Sequence, residues 1–161
     1  MSREEEVLEK LKEKFGEGIL GVNIQRQRRI FVEIDRSLLR EVLSYLRKEL
    51  NFDHISTITG YDYGDGIELI YHLAYEDSLE LSVKLKISRE KPEADSVSDI
   101  YPAAAIYERE VHDLLGVEFK GNPDLSPLIL PDEWPAELRP LRKDEKLEDI
   151  KSAIEAEAER R

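Results

Sequence analysis

Between Tyr107 and Leu125 the chain reads YEREVHDLLGVEFKGNPDL. Three carboxylates, Glu108, Glu110 and Asp113, fall close enough together to supply a general acid and a general base. Glu108 and His112 are four residues apart, which on a helix puts them on one face and makes half of a metal site. Neither chemistry is completed elsewhere in the chain. There is no HExxH, and the other two histidines, His54 and His72, fall in strand-like segments. No nucleophile motif, phosphate loop or dinucleotide fingerprint is present, and GYDYGDG lies between strands, where it reads as a hairpin turn. A third reading is structural. On a helix Tyr107, Val111, Leu114 and Leu115 form a packing face, Arg109 and Asp113 are spaced to pair, and Glu108 and His112 make a second, solvated stripe. Catalysis by the acidic cluster, a scaffold face and a docking face all remain open on these residues alone.

The whole chain bounds the choice. Its 161 residues suffice for one domain with a core and a short appendage. Cysteine is absent, which excludes disulfides, thiolate-held clusters and thiol nucleophiles, and fits the cytosol. A formal net charge of −12 makes nucleic acid and anionic membranes poor direct partners. No apolar run reaches the roughly 20 residues that a bilayer span needs, and MSREEEVLEK is too acidic for a signal peptide. The chain is thus expected to be soluble and to meet a membrane only through partners. Charged residues at 37% and a single methionine resemble a thermophile's composition.

The elements that must position the cluster can be read from periodicity. Ser2 and Glu5 have capping-box spacing ahead of Val7, Leu8, Leu11 and Phe15, which predicts a helix ended by Gly16 and Gly18. Segments 19–25 and 28–34 predict a hairpin. Asp35 or Ser37 can cap a helix whose apolar face is Leu38, Leu39, Val42, Leu43, Leu46 and Leu50. Strands are expected at 52–63, 67–76 and 79–88, with turns at 64–66 and 77–78. In the last of them Leu79, Leu81, Val83, Leu85 and Ile87 alternate with polar residues, so one face is buried. The order α-β-β-α-β-β-β predicts an α+β fold, a two-layer domain with helices on a largely antiparallel or mixed sheet.

After Arg89, EKPEADSVSDIYP reads as a polar connection, and Pro102 suits the first turn of a helix that runs to about Leu115 and ends at Gly116. Prolines then recur at 123, 127, 131, 135 and 140, which no regular element tolerates. The segment from Gly121 to Arg142 is expected to be extended, to carry Leu125, Leu128, Ile129, Leu130 and Trp134, and to wrap its own domain or a neighbour. DEKLEDIKSAIEAEAERR closes the chain as a helix with a thin seam of Leu147, Ile150 and Ile154. Residues 1–116 are expected to form the α+β domain, and 117–161 an extended docking segment with its helix.

YEREVHDLLGVEF, GNPDL, LILPDEWP and RPLRKD together resemble the signature of the 30-kDa (C-type) subunit of respiratory complex I. Membrane-bound nickel–iron hydrogenases and related archaeal energy-converting complexes have homologous subunits. That family carries E-R-E-x-x-D, then a G-x-P-D-L loop and an L-R-K-D segment, and SVSDIYPAAAIYERE is similar to its approach to the helix. The match runs in order from about residue 67 to residue 144. Complex I members usually read G-H-P-D-L-R-R, whereas this chain has Asn122 for the histidine and Ser126-Pro127 for the arginines. The departure is more compatible with a hydrogenase-like or sulfur-reducing relative than with quinone reduction.

The resemblance implies a subunit without cofactor or metal and without catalytic residues of its own. It would sit in the peripheral, cytoplasmic arm of a membrane-bound oxidoreductase, beside the large catalytic subunit and the iron–sulfur subunits. Glu108, Arg109, Glu110 and Asp113 would pair charges across an interface or fix the following loop. Gly121, Pro123 and Asp124 would set that loop, Leu128, Leu130 and Trp134 would be apolar anchors, and Arg139 and Arg142 would give cationic contacts.

Overall fold

A computed structural model describes residues 1–76 and 78–160, so Asp77 of the second expected turn and the terminal Arg161 lie outside the described residues. Ser2 caps the first helix, α1 (Arg3–Phe15), through a complete capping box with Glu5, and Val7, Leu8 and Leu11 bury its inner face. The hairpin follows as β1 (Ile19–Arg26) and β2 (Arg29–Ile34), antiparallel as expected. Asp35 accepts the Ser37 N–H at 2.9 Å and opens a short turn into α2 (Leu39–Lys48), whose Leu39, Val42, Leu43 and Leu46 are all buried. Three longer strands complete the sheet: β3 (His54–Asp62), β4 (Ile67–Tyr75) and β5 (Leu79–Ile87).

The five-stranded sheet has the order β1-β2-β5-β4-β3. All of its ladders are antiparallel except β2 with β5, where the chain returns parallel after α2, β3 and β4, so the sheet is mixed. Alternation fixes which side is apolar. Val22 and Val32 lie opposite each other, Val32 pairs with Val83, Val83 with Tyr71 and Tyr71 with Ile58, giving one inward row across all five strands. The neighbouring row, Glu33, Lys84, Ile70 and Thr59, turns to the opposite face. The fold is α+β, with the helices gathered over the apolar face: α1 packs at β1 and α3 (Ala104–Leu115) at β3.

Several details depart from the sequence pattern. The connection after Arg89 contains a three-residue strand, β6 (Glu93–Asp95), which pairs parallel with β7 (Glu118–Lys120) beyond α3. Three residues are too few for alternation to show, so this small sheet could not be read from periodicity. Pro102 sits in the turn before α3 rather than inside it, and Ala104 donates to the Tyr101 carbonyl at 2.9 Å to start the helix. The buried face of α3 is Ala104, Glu108, Val111 and Leu115, with Asp113 also buried, while Tyr107 and Leu114 are half-buried. The stripe is therefore rotated, and Glu108, expected on a solvated face, is inside. Gly60 on β3 allows the close approach: a Cβ there would stand 2.5 Å from Leu115 Cδ1 and 2.9 Å from Val111 Cγ1.

Past β7 no helix or strand forms until α4 (Leu147–Glu159), which begins three residues later than the sequence suggested and buries no residue. Leu147 and Ile154 of its seam are exposed. Among the described residues no helix is long and apolar enough to cross a membrane.

Candidate functional site

The stretch that first looked like chemistry is a helix with a strap of chain laid along it. Residues 122–130 run parallel to α3, held by one rung after another. Asn122 donates from Nδ2 to the Ala105 carbonyl at 3.2 Å and to Glu108 Oε1 at 3.3 Å. One turn on, Arg109 donates to the Ser126 carbonyl at 2.5 Å and the Pro127 carbonyl at 2.7 Å, with Asp124 4.0 Å from its guanidinium. One turn further, Asp113 Oδ2 accepts the backbone N–H groups of Leu128, Ile129 and Leu130 at 2.8, 2.8 and 3.2 Å. Geometry requires some slack. Eight helical residues rise about 12 Å, while six extended residues span about 20 Å. Two side-chain turns take up the excess: Asn122 accepts from the Asp124 N–H, and Asp124 from the Ser126 N–H, both at 2.9 Å.

The strap then returns to close the end of the helix. A helix leaves its last four carbonyls without internal partners. Here the capping Gly116 N–H already meets that of His112 at 2.9 Å, Arg139 donates to those of His112 and Asp113 at 3.1 and 3.3 Å, the Leu141 N–H to that of Leu114 at 3.0 Å, and Arg142 Nε to that of Leu115 at 2.7 Å. Gly116 at φ 77° turns the chain away, with Arg139 packed against it. Arg142 also donates to the Arg89 carbonyl at 3.1 Å. The expected cationic contacts of Arg139 and Arg142 are thus made within the chain. The expected pairing of Arg109 with Asp113 does not form, because each is engaged by a different part of the strap.

Two carboxylates on α3 shift in opposite directions. Glu108 has no exposed surface, and burial pushes its carboxyl up. Hydrogen bonds from Ser96 Oγ at 2.5 Å, the Val97 N–H at 3.2 Å and Asn122 oppose that rise only in part. Burial also pushes Asp113 up, but its three N–H donors outweigh it and hold the carboxyl below its ordinary value. Glu110 is half-buried and has no hydrogen-bond or ion-pair partner among the described residues. His112 Nδ1 lies 2.9 Å from the Val117 carbonyl, and His72 sits between Ser82 and Thr59 at 2.9 and 3.0 Å, so the histidines stand apart. No group of three or more metal-ligating side chains forms among the described residues.

Sequence reasoning missed the second clamp. Asp62, at the end of β3, accepts from Arg89 Nη2 at 3.1 Å, the Gly64 N–H at 2.9 Å and the Lys143 N–H at 2.8 Å. Arg89 also reaches Asp144 at 2.8 Å. Burial disfavours the Asp62 charge, yet the Arg89 guanidinium and the two N–H groups hold it at about 2. One signal was available: Asp62 shares the alternation parity of Ile58 and Gly60 and so had to face inward. A parallel anchor holds the approach to α3, where Arg40 clasps Asp99 at 2.8 and 2.6 Å and holds it at about 2.

On the strap the apolar residues divide. Leu138 is buried and its carbonyl accepts from Trp134 Nε1 at 2.7 Å. Leu130 and Trp134 are half-buried, whereas Leu128 and Ile129 are 41% and 53% exposed. Gly121 and Pro123 are exposed at the start of the strap, Gly121 with φ 93°.

This arrangement has known relatives. A family model described as the respiratory-chain NADH dehydrogenase 30 Kd subunit matches residues 32–151, which take in the end of β2, strands β3 to β5, α3 and the strap. The chain is 40% identical over 141 residues to the C-type subunit of the F(420)H(2) dehydrogenase of Methanosarcina mazei, covering 86% of this chain and 89% of that one. It is 32% identical over 152 residues to the beta subunit of the membrane-bound hydrogenase of Pyrococcus furiosus, covering 91% and 88%. One chain of the membrane-bound sulfane sulfur reductase, an archaeal respiratory membrane complex, superposes with a TM-score of 0.83 at 32% identity, covering 94% and 91%. On sequence and fold, the chain belongs to the family of the 30-kDa subunit of respiratory-chain NADH dehydrogenase.

Proposed function

We propose that the chain is a non-catalytic, cofactor-free docking subunit in the peripheral arm of a membrane-bound, complex I-related oxidoreductase, on the cytoplasmic face. It would hold the large catalytic subunit against the iron–sulfur subunits, with electrons passing through those neighbours. Residues 1–116 are its scaffold and 117–161 its docking segment.

The observation that carries this reading is the crest of the strap. Leu128 and Ile129 are exposed while their own N–H groups are fixed on Asp113. An apolar pair held in place before any partner arrives has already met the ordering cost that a flexible loop would meet on binding. Leu130 and Trp134, half-buried beside it, extend the anchor, and unpartnered Glu110 is the acid left for a partner's cation. Arg109, Asp113, Arg139 and Arg142 act one step back, as supports of the docking surface. A free-standing acid–base enzyme is disfavoured on the same geometry, since Glu108 is closed to a substrate and Asp113 is already occupied by three donors. Within the family we favour the hydrogenase-like or sulfur-reducing branch on Asn122 and Ser126-Pro127. The large subunit recovered with the chain decides it: nickel-ligating cysteines mark a hydrogenase.

The test is purification of the whole complex from membranes through a tag on this chain. With Leu128→Asp and Ile129→Asp together, recovery of the large subunit is expected to fall at least about tenfold, as for loss of an interface hot spot. Full recovery of that subunit with the double variant overturns the reading.

A further inference from the structure

The opposite edge of the sheet carries a second surface. The antiparallel register sets Val22 opposite Val32 and Ile24 opposite Ile30, so all four project from the same face. Ile30 and Val32 are fully buried beneath the helices, but Val22 and Ile24 are 37% and 42% exposed. The helix layer stops at α1, and β1 is the last strand. What remains is a groove with Leu8, Val22 and Ile24 as its floor and a face of α1 as its wall. That wall carries Glu5, Glu9 and Glu13 at successive four-residue steps, with Lys12 as its single cation. Like charges four apart on a helix repel one another. Glu9 and Glu13 have no ion-pair or hydrogen-bond partner among the described residues, whereas Glu5 completes the capping box of α1.

We propose that this groove takes an amphipathic helix of a neighbouring subunit, lying beside α1, with lysines or arginines flanking its apolar stripe. The proposal rests on the reading of the chain as a complex subunit but uses the edge remote from α3 and the strap, so the chain bridges two neighbours. A strand added to the open edge of β1 would pair its backbone yet leave Val22 and Ile24 uncovered, because their side chains stand perpendicular to the sheet. A helix packed about 8–10 Å from α1 covers them. A second copy of this chain would bring the same three glutamates into the cleft and add repulsion, so the occupant is a cationic chain of another kind.

Zero-length carbodiimide coupling of the intact, membrane-purified complex, read by mass spectrometry, tests this. Glu9 and Glu13 are expected to join lysines of one neighbouring subunit, and those lysines to fall on one helical face of it. Coupling confined to this chain, to a second copy of it, to lysines outside a helix, or absent altogether overturns the proposal. Glu9→Lys with Glu13→Lys, which leaves the capping box intact, is expected to cut recovery of that neighbour at least about tenfold while the large subunit stays bound. If Leu128→Asp with Ile129→Asp proves harmless while these charge reversals release a neighbour, only the strap reading fails. If the reversals release nothing, only the groove proposal fails.

Discussion

In β2, β4 and β5 the inward positions are Ile30, Val32 and Ile34, then Ile67, Leu69, Tyr71 and Leu73, then Leu79, Leu81, Val83, Leu85 and Ile87, all buried. From residue 121 to residue 143 only Leu138 is buried, and the chain is placed by the Asp62 and Asp113 carboxylates and the Arg109 guanidinium, which reach it from other elements, and by its own Asn122, Arg139 and Arg142, which reach back to α3. The two regions divide the work of ordering a backbone. The sheet satisfies its N–H and C=O groups in its own ladders and is stabilised by apolar burial, about 1.5–3 kcal/mol for each large side chain. The strap has no ladder, so its order depends on a few polar groups whose net worth is about 1 kcal/mol per bond but whose removal leaves several backbone groups unpaired at once. Loss of order is therefore expected to be global in the first region and local in the second.

The largest effect should come from the core. Leu69→Ala removes a fully buried side chain in the middle of β4 and is expected to cost about 2–5 kcal/mol, lowering the midpoint of thermal unfolding by roughly 5–15 °C. Amide exchange should accelerate together across β2, β4 and β5. An opening confined to β4 would show that the sheet is not the cooperative unit.

Asp113→Ala is expected to cost less, about 1–3 kcal/mol, because solvent can reach the freed N–H groups of this surface segment. Its signature is place rather than size: exchange protection at Leu128, Ile129 and Leu130 is lost while that of β4 and β5 is retained. If the variant lowers the thermal midpoint as far as Leu69→Ala does, the strap belongs to the core's cooperative unit and the contrast collapses.

The same contrast explains what could be read from the sequence. The strands β3 and β4 followed from strand-like runs bounded by turn signals, β5 from alternation over nine residues, and α1 from its capping box. The prolines between 123 and 140 announced a segment without regular structure. The bonds that hold that segment carry no local period. Asp113 serves residues 15 to 17 positions away, and Asp62 meets Lys143 across 81. Glu108 was visible as an acid in a suggestive cluster, but its burial depended on α3 rolling onto Gly60, which only the packed sheet reveals. The exposed apolar pair Val22 and Ile24 was read simply as strand, because sequence cannot say where the helix layer ends.

The smallest effect sharpens the comparison, because it acts through pH on the group that holds the end of the strap. The folded Asp62 carboxyl stands at about 2, below its ordinary 3.8. A folded value lowered in this way contributes stability at every pH above about 4, and that contribution fades as pH falls from about 4 toward 2 and the carboxylate accepts a proton. The groups that lose their acceptor are Arg89 and the N–H of Lys143, which place the end of the strap, and the N–H of Gly64 in the turn after β3, while the aliphatic core has nothing to titrate. Over that interval exchange protection near Lys143 should fall before that of β4. In Asp62→Asn the protection near Lys143 should be weaker at neutral pH and lose its dependence between pH 4 and 2. On α3 the signs differ: protonation relieves the burial cost of a Glu108 charge and weakens the hold of Asp113 on the strap, so acid loosens the strap while removing one strain from the helix beneath it. A sheet that loses protection at the same pH as the strap would mean that the two regions share one polar anchor, and Asp62, at the end of β3, is where that anchor would have to be.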